Sequence, residues 1–272
     1  MTRTERVMAA LRGEPADRVP VGLWGHSYLK EWTHEGLAEA MLDFRRRYDW
    51  DFLKVNPRAS YHVEDWGAKY EPSGEAHKGP IFADGPIKSA RDWNGLWVLD
   101  PNKGVLGEHL KALELIRDGL AGDVPFIQTI FSPLGVAKYL VGNSLDVVRS
   151  HMRDDPNGVH YGLSVIARTF AEYAARCLDL SADGIFFAQG VCVLSRSTCN
   201  GGYSLVWITT IGNEHPGDDG DRAQKRRPRA NRWAMQGSAS ALQLKLQTTL
   251  PKEQTKSYTA FGLSLVGSFI WA

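Results

Sequence analysis

The chain has 272 residues, 43% of them hydrophobic and 23% charged, which is ordinary globular usage and excludes wholesale disorder. No apolar run reaches the roughly 20 residues of a bilayer span; the charged start MTRTERVMAALRG is unlike a leader, and three cysteines are too few for a disulfide framework, which points to a reducing, cytoplasmic setting. The net charge of +1 argues against a nucleic-acid partner for the whole molecule, yet residues 1–190 carry a net −4 and residues 191–272 a net +5.

In chain order, Thr4 to Arg12 places Val7, Met8 and Leu11 at helical spacing, and Gly13 follows as a C-cap. Arg18-Val-Pro-Val-Gly-Leu-Trp24 is a short apolar run behind an aspartate and reads as a buried strand. A helix is expected from about Thr33 to Tyr48, with Leu37, Met41 and Phe44 on one face. Asp51-Phe-Leu-Lys-Val55 then reads as a strand, ended by Asn56-Pro57. The aromatic, Gly- and Pro-rich stretch from Ser60 to Pro86 suggests short strands or a hairpin.

The pattern then becomes regular. Val105 to Gly119 is an amphipathic helix, Val124 to Ile130 a strand, and Ser132-Pro133 an N-cap and first-turn pair for the next helix. Asp155-Pro156 opens a longer helix, with Val159, Leu163, Ile166, Phe170 and Tyr173 inward, and Asp183 to Ala188 is a buried strand. Strands alternating with helices imply βαβ units on a parallel sheet.

Four segments in this order resemble the uroporphyrinogen decarboxylase superfamily. They are Glu5-Arg-Val-Met-Ala-Ala-Leu-Arg-Gly-Glu-Pro-Ala-Asp-Arg-Val-Pro20, Glu64-Asp-Trp-Gly67, Phe131-Ser-Pro-Leu-Gly135 running on to Tyr139-Leu-Val-Gly142, and Ala182-Asp-Gly-Ile-Phe-Phe-Ala188. The resemblance implies a (β/α)8 TIM barrel with its active site at the C-terminal ends of the strands. It also implies a cofactor-free, metal-free carbon–carbon lyase acting on a small anionic substrate. A second branch of the superfamily comprises zinc methyltransferases that serve corrinoid proteins, and that branch is the alternative reading. Because the matching segments stop near Gly190, the barrel is expected to be incomplete, with roughly its first five strands. A third alternative is therefore an inactive truncated remnant, or a half that a homodimer or a partner chain completes.

The sequence departs from the decarboxylase pattern at the substrate site. After Arg18-Val-Pro-Val21 the decarboxylases carry a Met-Arg-Gln-Ala-Gly-Arg run, whereas this chain reads Leu23-Trp-Gly-His-Ser-Tyr-Leu-Lys30. Both substrate-holding arginines are missing, and the position of the catalytic aspartate falls near Asn56. Uroporphyrinogen itself is then not the expected substrate, since each lost charge-assisted contact costs about 1.5–3 kcal/mol. His26, Asn56 and Tyr139 are the candidate catalytic residues. Trp24, Arg58 and His62 are the candidate substrate-binding residues, Arg58 as a replacement anion holder. The competing roles are structural: a loop imidazole for His26, turn chemistry for Asn56, a solvated hairpin for His62 and Glu64, and helix core for Tyr139. No His-x-Cys pair exists, and Cys177 falls within a helix pattern, so no metal site is expected.

From Val191 the alternation stops. Residues 191–272 read as an atypical tail, by frameshift or replacement of the C-terminus, with a basic run Lys225-Arg-Arg-Pro-Arg229 and a short apolar end, Gly262 to Trp271. The tail is expected to be loosely ordered and the barrel edge open, leaving the isolated chain inactive and prone to associate. Limited proteolysis is expected to cut first between Gly212 and Arg232. A protease-resistant, monomeric chain with lyase activity would overturn that reading.

Overall fold

The computed structural model describes residues 1–188 and 267–271. The chain opens with α1 (Arg3–Arg12), started by a capping box in which Thr2 accepts from the Glu5 N–H while the Glu5 carboxylate accepts from the Thr2 N–H. Gly13 closes it at φ 69°, a conformation that costs a glycine little.

The run from Arg18 to Trp24 is not the buried strand that its apolar residues suggest; it is irregular. Val19, Val21 and Leu23 are 58%, 49% and 61% exposed, so no neighbour covers them among the described residues. Pro20 offers no N–H to a ladder. The segment makes a backbone hydrogen bond at Val21, whose carbonyl accepts from the Asp51 N–H at 2.8 Å. Its N–H donates to the Asp51 carboxylate at 2.8 Å.

α2 (His34–Tyr48) starts on Thr33, whose hydroxyl accepts from the Gly36 N–H, and buries Leu37 and Met41. β1 (Leu53–Val55) follows, then the short α3 (Tyr61–Glu64). The expected hairpin is present, after that helix, as β2 (Lys69–Glu71) paired antiparallel with β3 (Ile81–Asp84). A 3-10 turn at Ala90–Gly95 leads to α4 (Gly104–Leu120), which buries Leu106, Leu110, Leu113 and Ile116. β4 (Phe126–Phe131), α5 (Pro133–Leu140), α6 (Leu145–Asp154), α7 (Pro156–Asp179) and β5 (Gly184–Ala188) complete the regular part. α5 and α7 both carry proline in the first turn behind a side-chain cap, Ser132 and Asp155.

β1, β4 and β5 pair in parallel, with Leu53 opposite Phe126 and Ile127 opposite Gly184. Of the parallel strands expected from the sequence, these three are present among the described residues. The apolar end of the chain supplies a fourth strand: β6 (Gly267–Trp271) runs antiparallel along β5, with Gly184 opposite Trp271. The edge that the sequence leaves open beyond Ala188 thus has a partner. The basic run at 225–229 and the expected cleavage region lie outside the described residues. Among the described residues, no helix is long and apolar enough to cross a membrane.

The two faces of the sheet differ. Leu53, Val55, Phe126, Ile130, Ile185 and Phe187 join the main apolar core with residues of α2, α4, α5 and α7. Ile127 and Phe186 are buried too, but outside that core. By strand alternation they share the other face with Lys54.

Asp51, fully buried one turn of chain before β1, locks the N-terminal elements to the sheet. Its carboxylate accepts from Arg6 at 2.7 Å and from Arg18 at 2.5 and 2.8 Å. Arg6 also forks onto Asp17 at 2.6 and 2.7 Å. Burial alone would raise the Asp51 pKa; the hydrogen bonds from Arg18, Val21 and Arg6 outweigh it and hold the group below the usual carboxylate range. Asp51→Ala is expected to destabilise by about 2–3 kcal/mol, at the low end for a broken buried pair because Arg18 reaches water and Arg6 keeps Asp17. Since the native pKa is depressed, this stabilisation is present above the unfolded value of about 3.9 and fades as the pH falls below it. Urea unfolding should therefore separate wild type from variant widely at pH 7 and much less near pH 3; an equal gap at both would refute the assignment.

Candidate functional site

The candidate residues gather at the C-terminal ends of the parallel strands. Lys54 and Asn56, two apart on β1 and its exit, project to the same face. Lys54 is only 4% exposed. Its ammonium nitrogen sits 4.3 Å from the centroid of the Trp24 ring and 4.4 Å from that of Phe186. Its one polar neighbour is the Asn56 Oδ1 at 3.4 Å, and it has no carboxylate partner among the described residues. Burial without a counter-charge pushes the amine down to about 7. The Asn56 Nδ2, also buried, has no hydrogen-bond partner among the described residues.

His26 lies beyond Trp24 in the irregular segment, the two rings meeting edge-on at 6.4 Å. Its Nδ1 is 3.0 Å from the Glu31 Oε2, and its ring stacks on Tyr28 at 4.7 Å. Glu31 is buried and also accepts from the Ala59 N–H at 3.1 Å. A carboxylate facing Nδ1 makes that nitrogen the donor and leaves Nε2 to take up or give a proton, the arrangement of an oriented general acid–base.

Arg58 does not take the role expected of it. Its guanidinium is held by Glu64 through two bonds of 2.8 Å, with a third to the Trp32 carbonyl at 3.1 Å, and it faces the Trp32 ring at 5.0 Å. The charge that was to hold an anion is already neutralised. Arg58 and Glu64 instead bolt the segment around Trp32 onto the loop after β1.

His62 is also placed differently from expectation. It lies in α3 rather than in a solvated hairpin and is 1% exposed. Tyr61 seats this helix by donating to the Thr129 carbonyl at 2.8 Å. The His62 ring stacks on Phe131 at 4.3 Å and meets Tyr139 edge-on at 4.6 Å. Neither ring nitrogen has a hydrogen-bond partner among the described residues. Burial, with His109 adding to it, pushes the imidazole down to about 3, so it is neutral at physiological pH. Tyr139, half-buried, has its phenol raised by the same burial. His109 donates from Nδ1 to the Val105 carbonyl and accepts the Arg58 N–H at Nε2, and so serves the scaffold.

The structure joins Trp24 to His26 and to Lys54, beside Asn56, and joins His62 to Tyr139; the sequence reading did not single out Lys54 or Glu31. The available signal for Lys54 was a lone charge inside the apolar strand Phe-Leu-Lys-Val, two residues before Asn56. For Glu31 no local signal exists: it lies five residues past His26 in a segment without periodicity.

Among the described residues no three His, Cys, Asp or Glu side chains are grouped to hold a metal ion. Cys177 is buried within α7, and Cys192 and Cys199 lie outside the described residues. A cleft of about 390 Å³ between Trp66, Ile87, Arg91 and Trp97 contains none of the candidate residues.

A family model described as Uroporphyrinogen decarboxylase (URO-D) matches residues 2–195. Uroporphyrinogen decarboxylase of Alkalilimnicola ehrlichii is 29% identical over 206 residues, which are 67% of this chain and 55% of that protein. The protein of the same description from Hydrogenovibrio crunogenus is 28% identical over 204 residues, 67% of this chain and 56% of its own length. The matched part is thus about half the length of these relatives. A methyltransferase from Methanosarcina mazei has the same fold over 68% of this chain and 58% of its own, at a TM-score of 0.57 and 23% identity. The fold is a TIM-barrel-like α/β arrangement.

Glu64→Ala, which strands a buried guanidinium, is expected to cost about 3 kcal/mol, and removing both partners as Arg58→Met with Glu64→Leu should recover much of it. A double-mutant cycle by urea unfolding checks this; additive losses would show that the pair does not act as a unit.

Proposed function

We propose that this chain, which belongs to the uroporphyrinogen decarboxylase (URO-D) family, carries the strand-end chemistry of a carbon–carbon lyase, a decarboxylase of a small anionic substrate other than uroporphyrinogen. The observation that carries this reading is Lys54: a buried cation with no carboxylate partner among the described residues, beside an unpaired Asn56 amide. A charge left uncompensated in a low-dielectric site attracts an anion strongly, and a substrate carboxylate is the anion that a decarboxylase must bind.

Decarboxylation leaves an electron pair on carbon, so the site needs a positive sink and a proton source. Lys54 and the Asn56 Nδ2 face the substrate from β1. His26, oriented by Glu31, carries the proton to the new carbanion. Trp24 and Phe186 wall the Lys54 amine and exclude water. A porphyrinogen with its many carboxylates asks for several cations here, and Arg58 is already committed to Glu64.

In this reading residues 1–190 are the barrel portion and 191–272 an atypical segment. The exposed Val19, Val21 and Leu23 mark the side where a second copy or a partner chain would complete the barrel.

The test is release of carbon dioxide by the full chain from a panel of 3-oxo, 2-oxo and arylacetic acids, with uroporphyrinogen alongside. Turnover of a small acid, lowered about 10²–10⁴-fold by His26→Gln, is the expected result. Uroporphyrinogen should give no coproporphyrinogen. Conversion of uroporphyrinogen, or small-acid turnover indifferent to His26, would overturn the proposal.

A further inference from the structure

Among the buried groups of the described residues, Lys54 stands apart in chemistry as well as in charge. An amine enclosed by two aromatic rings, with an amide oxygen at 3.4 Å and no counter-ion among the described residues, is arranged as a nucleophile rather than as a structural ion-pair partner. Every other buried cation in the described part is neutralised: Arg6 by Asp17 and Asp51, and Arg58 by Glu64. Lys54 lies on a barrel strand, where the backbone is rigid, and one of its two covering rings, Trp24, is itself 43% exposed.

We propose that Lys54 forms a covalent imine with the carbonyl of a 3-oxo carboxylic acid, and that this imine is the electron sink for loss of carbon dioxide. The proposal rests on the lyase reading above and adds the substrate class and the covalent step. The neutral amine attacks the carbonyl carbon; the carbonyl oxygen takes one proton from the amine nitrogen and one from solvent and leaves as water, giving a protonated C=N bond, and the solvent proton is returned when the imine is hydrolysed. The bond to the carboxylate then breaks; its electron pair forms the C=C bond of an enamine while the C=N π pair moves onto nitrogen, and carbon dioxide departs. The enamine carbon takes a proton from His26, whose ring is edge-on to the same Trp24 that covers Lys54. Water adds to the resulting C=N bond, releasing the ketone and returning the amine. No oxidant, reductant, metal or organic cofactor enters the balance.

The environment supports the first step. The amine is held near 7, so a large fraction is unprotonated at neutral pH, whereas an ordinary lysine near 10.4 is almost wholly charged. A cage of Trp24 and Phe186 also disfavours bulk water, which would otherwise hydrolyse the imine before carbon dioxide is lost.

The experiment is trapping of the full chain with acetoacetate and sodium borohydride, read by peptide mass spectrometry. The expected result is a reduced adduct on Lys54 about tenfold or more above that on any surface lysine at neutral pH, with its formation rising through pH 7 rather than pH 10. Lys54→Met, apolar and close in size, suits the aromatic cage and should fold while losing the adduct; Lys54→Arg keeps the charge and should lose it too. Adducts spread evenly over surface lysines, with Lys54 unmodified, would overturn the proposal. Carbon dioxide release is measured in parallel to separate the two claims. An adduct without carbon dioxide release upholds the imine and refutes the lyase reading. Release that survives Lys54→Met but falls with His26→Gln refutes the imine and leaves only a lyase that does not depend on Lys54.

Discussion

Asp51 is the point through which the N-terminal third of the chain is held against the sheet. One carboxylate accepts from two arginines, Arg6 in α1 and Arg18 at the start of the irregular segment, and from the Val21 N–H. Without a strand ladder, the segment that carries Trp24, His26, Tyr28 and Glu31 depends on this knot for its place beside β1. Burial of a carboxylate is costly alone and tolerable when every lone pair is matched to a donor, as here. Because Asp51 sits two residues before β1, fixing it also fixes where Trp24 lands, over the Lys54 amine.

The two faces of the sheet then divide the work. The outer face packs against α2, α4, α5 and α7 into one apolar core, where alternating strand residues are Leu, Val, Ile and Phe. The other face carries Lys54, Asn56 and Phe186, and Lys54 has no carboxylate partner among the described residues. The same contrast separates the cations, since Arg58 is spent on Glu64 and Lys54 is not.

The sheet edge has its own solution. A parallel strand such as β5 leaves a row of unpaired N–H and C=O groups if its neighbour is missing. Antiparallel pairing by β6 gives that row a partner. The apolar stretch at Gly262–Trp271, unplaceable by pattern alone, thus has a use in the β-rich part of its length.

Much of the scaffold was determined by sequence alone, because its signals are local. Thr2 and Glu5, Thr33, Ser132-Pro133 and Asp155-Pro156 start helices through hydrogen bonds within one turn, and Gly13 ends one through its backbone freedom. The alternation of β1, α4, β4, α7 and β5 follows from the period of their apolar residues, and the family motifs followed from those segments. Three things only the tertiary structure decided. Arg18–Trp24 has the composition of a strand but lacks a covering neighbour, so it stays irregular. Arg58 and Glu64 stand six apart in sequence, too far to read as a pair until α3 folds back and neutralises the expected anion holder. Lys54 reads as one charge in a short strand, and only the rings of Trp24 and Phe186, thirty residues before it and over a hundred and thirty after it, turn that charge into a desolvated amine. Desolvation is a property of what surrounds a group in space, and no local pattern encodes it.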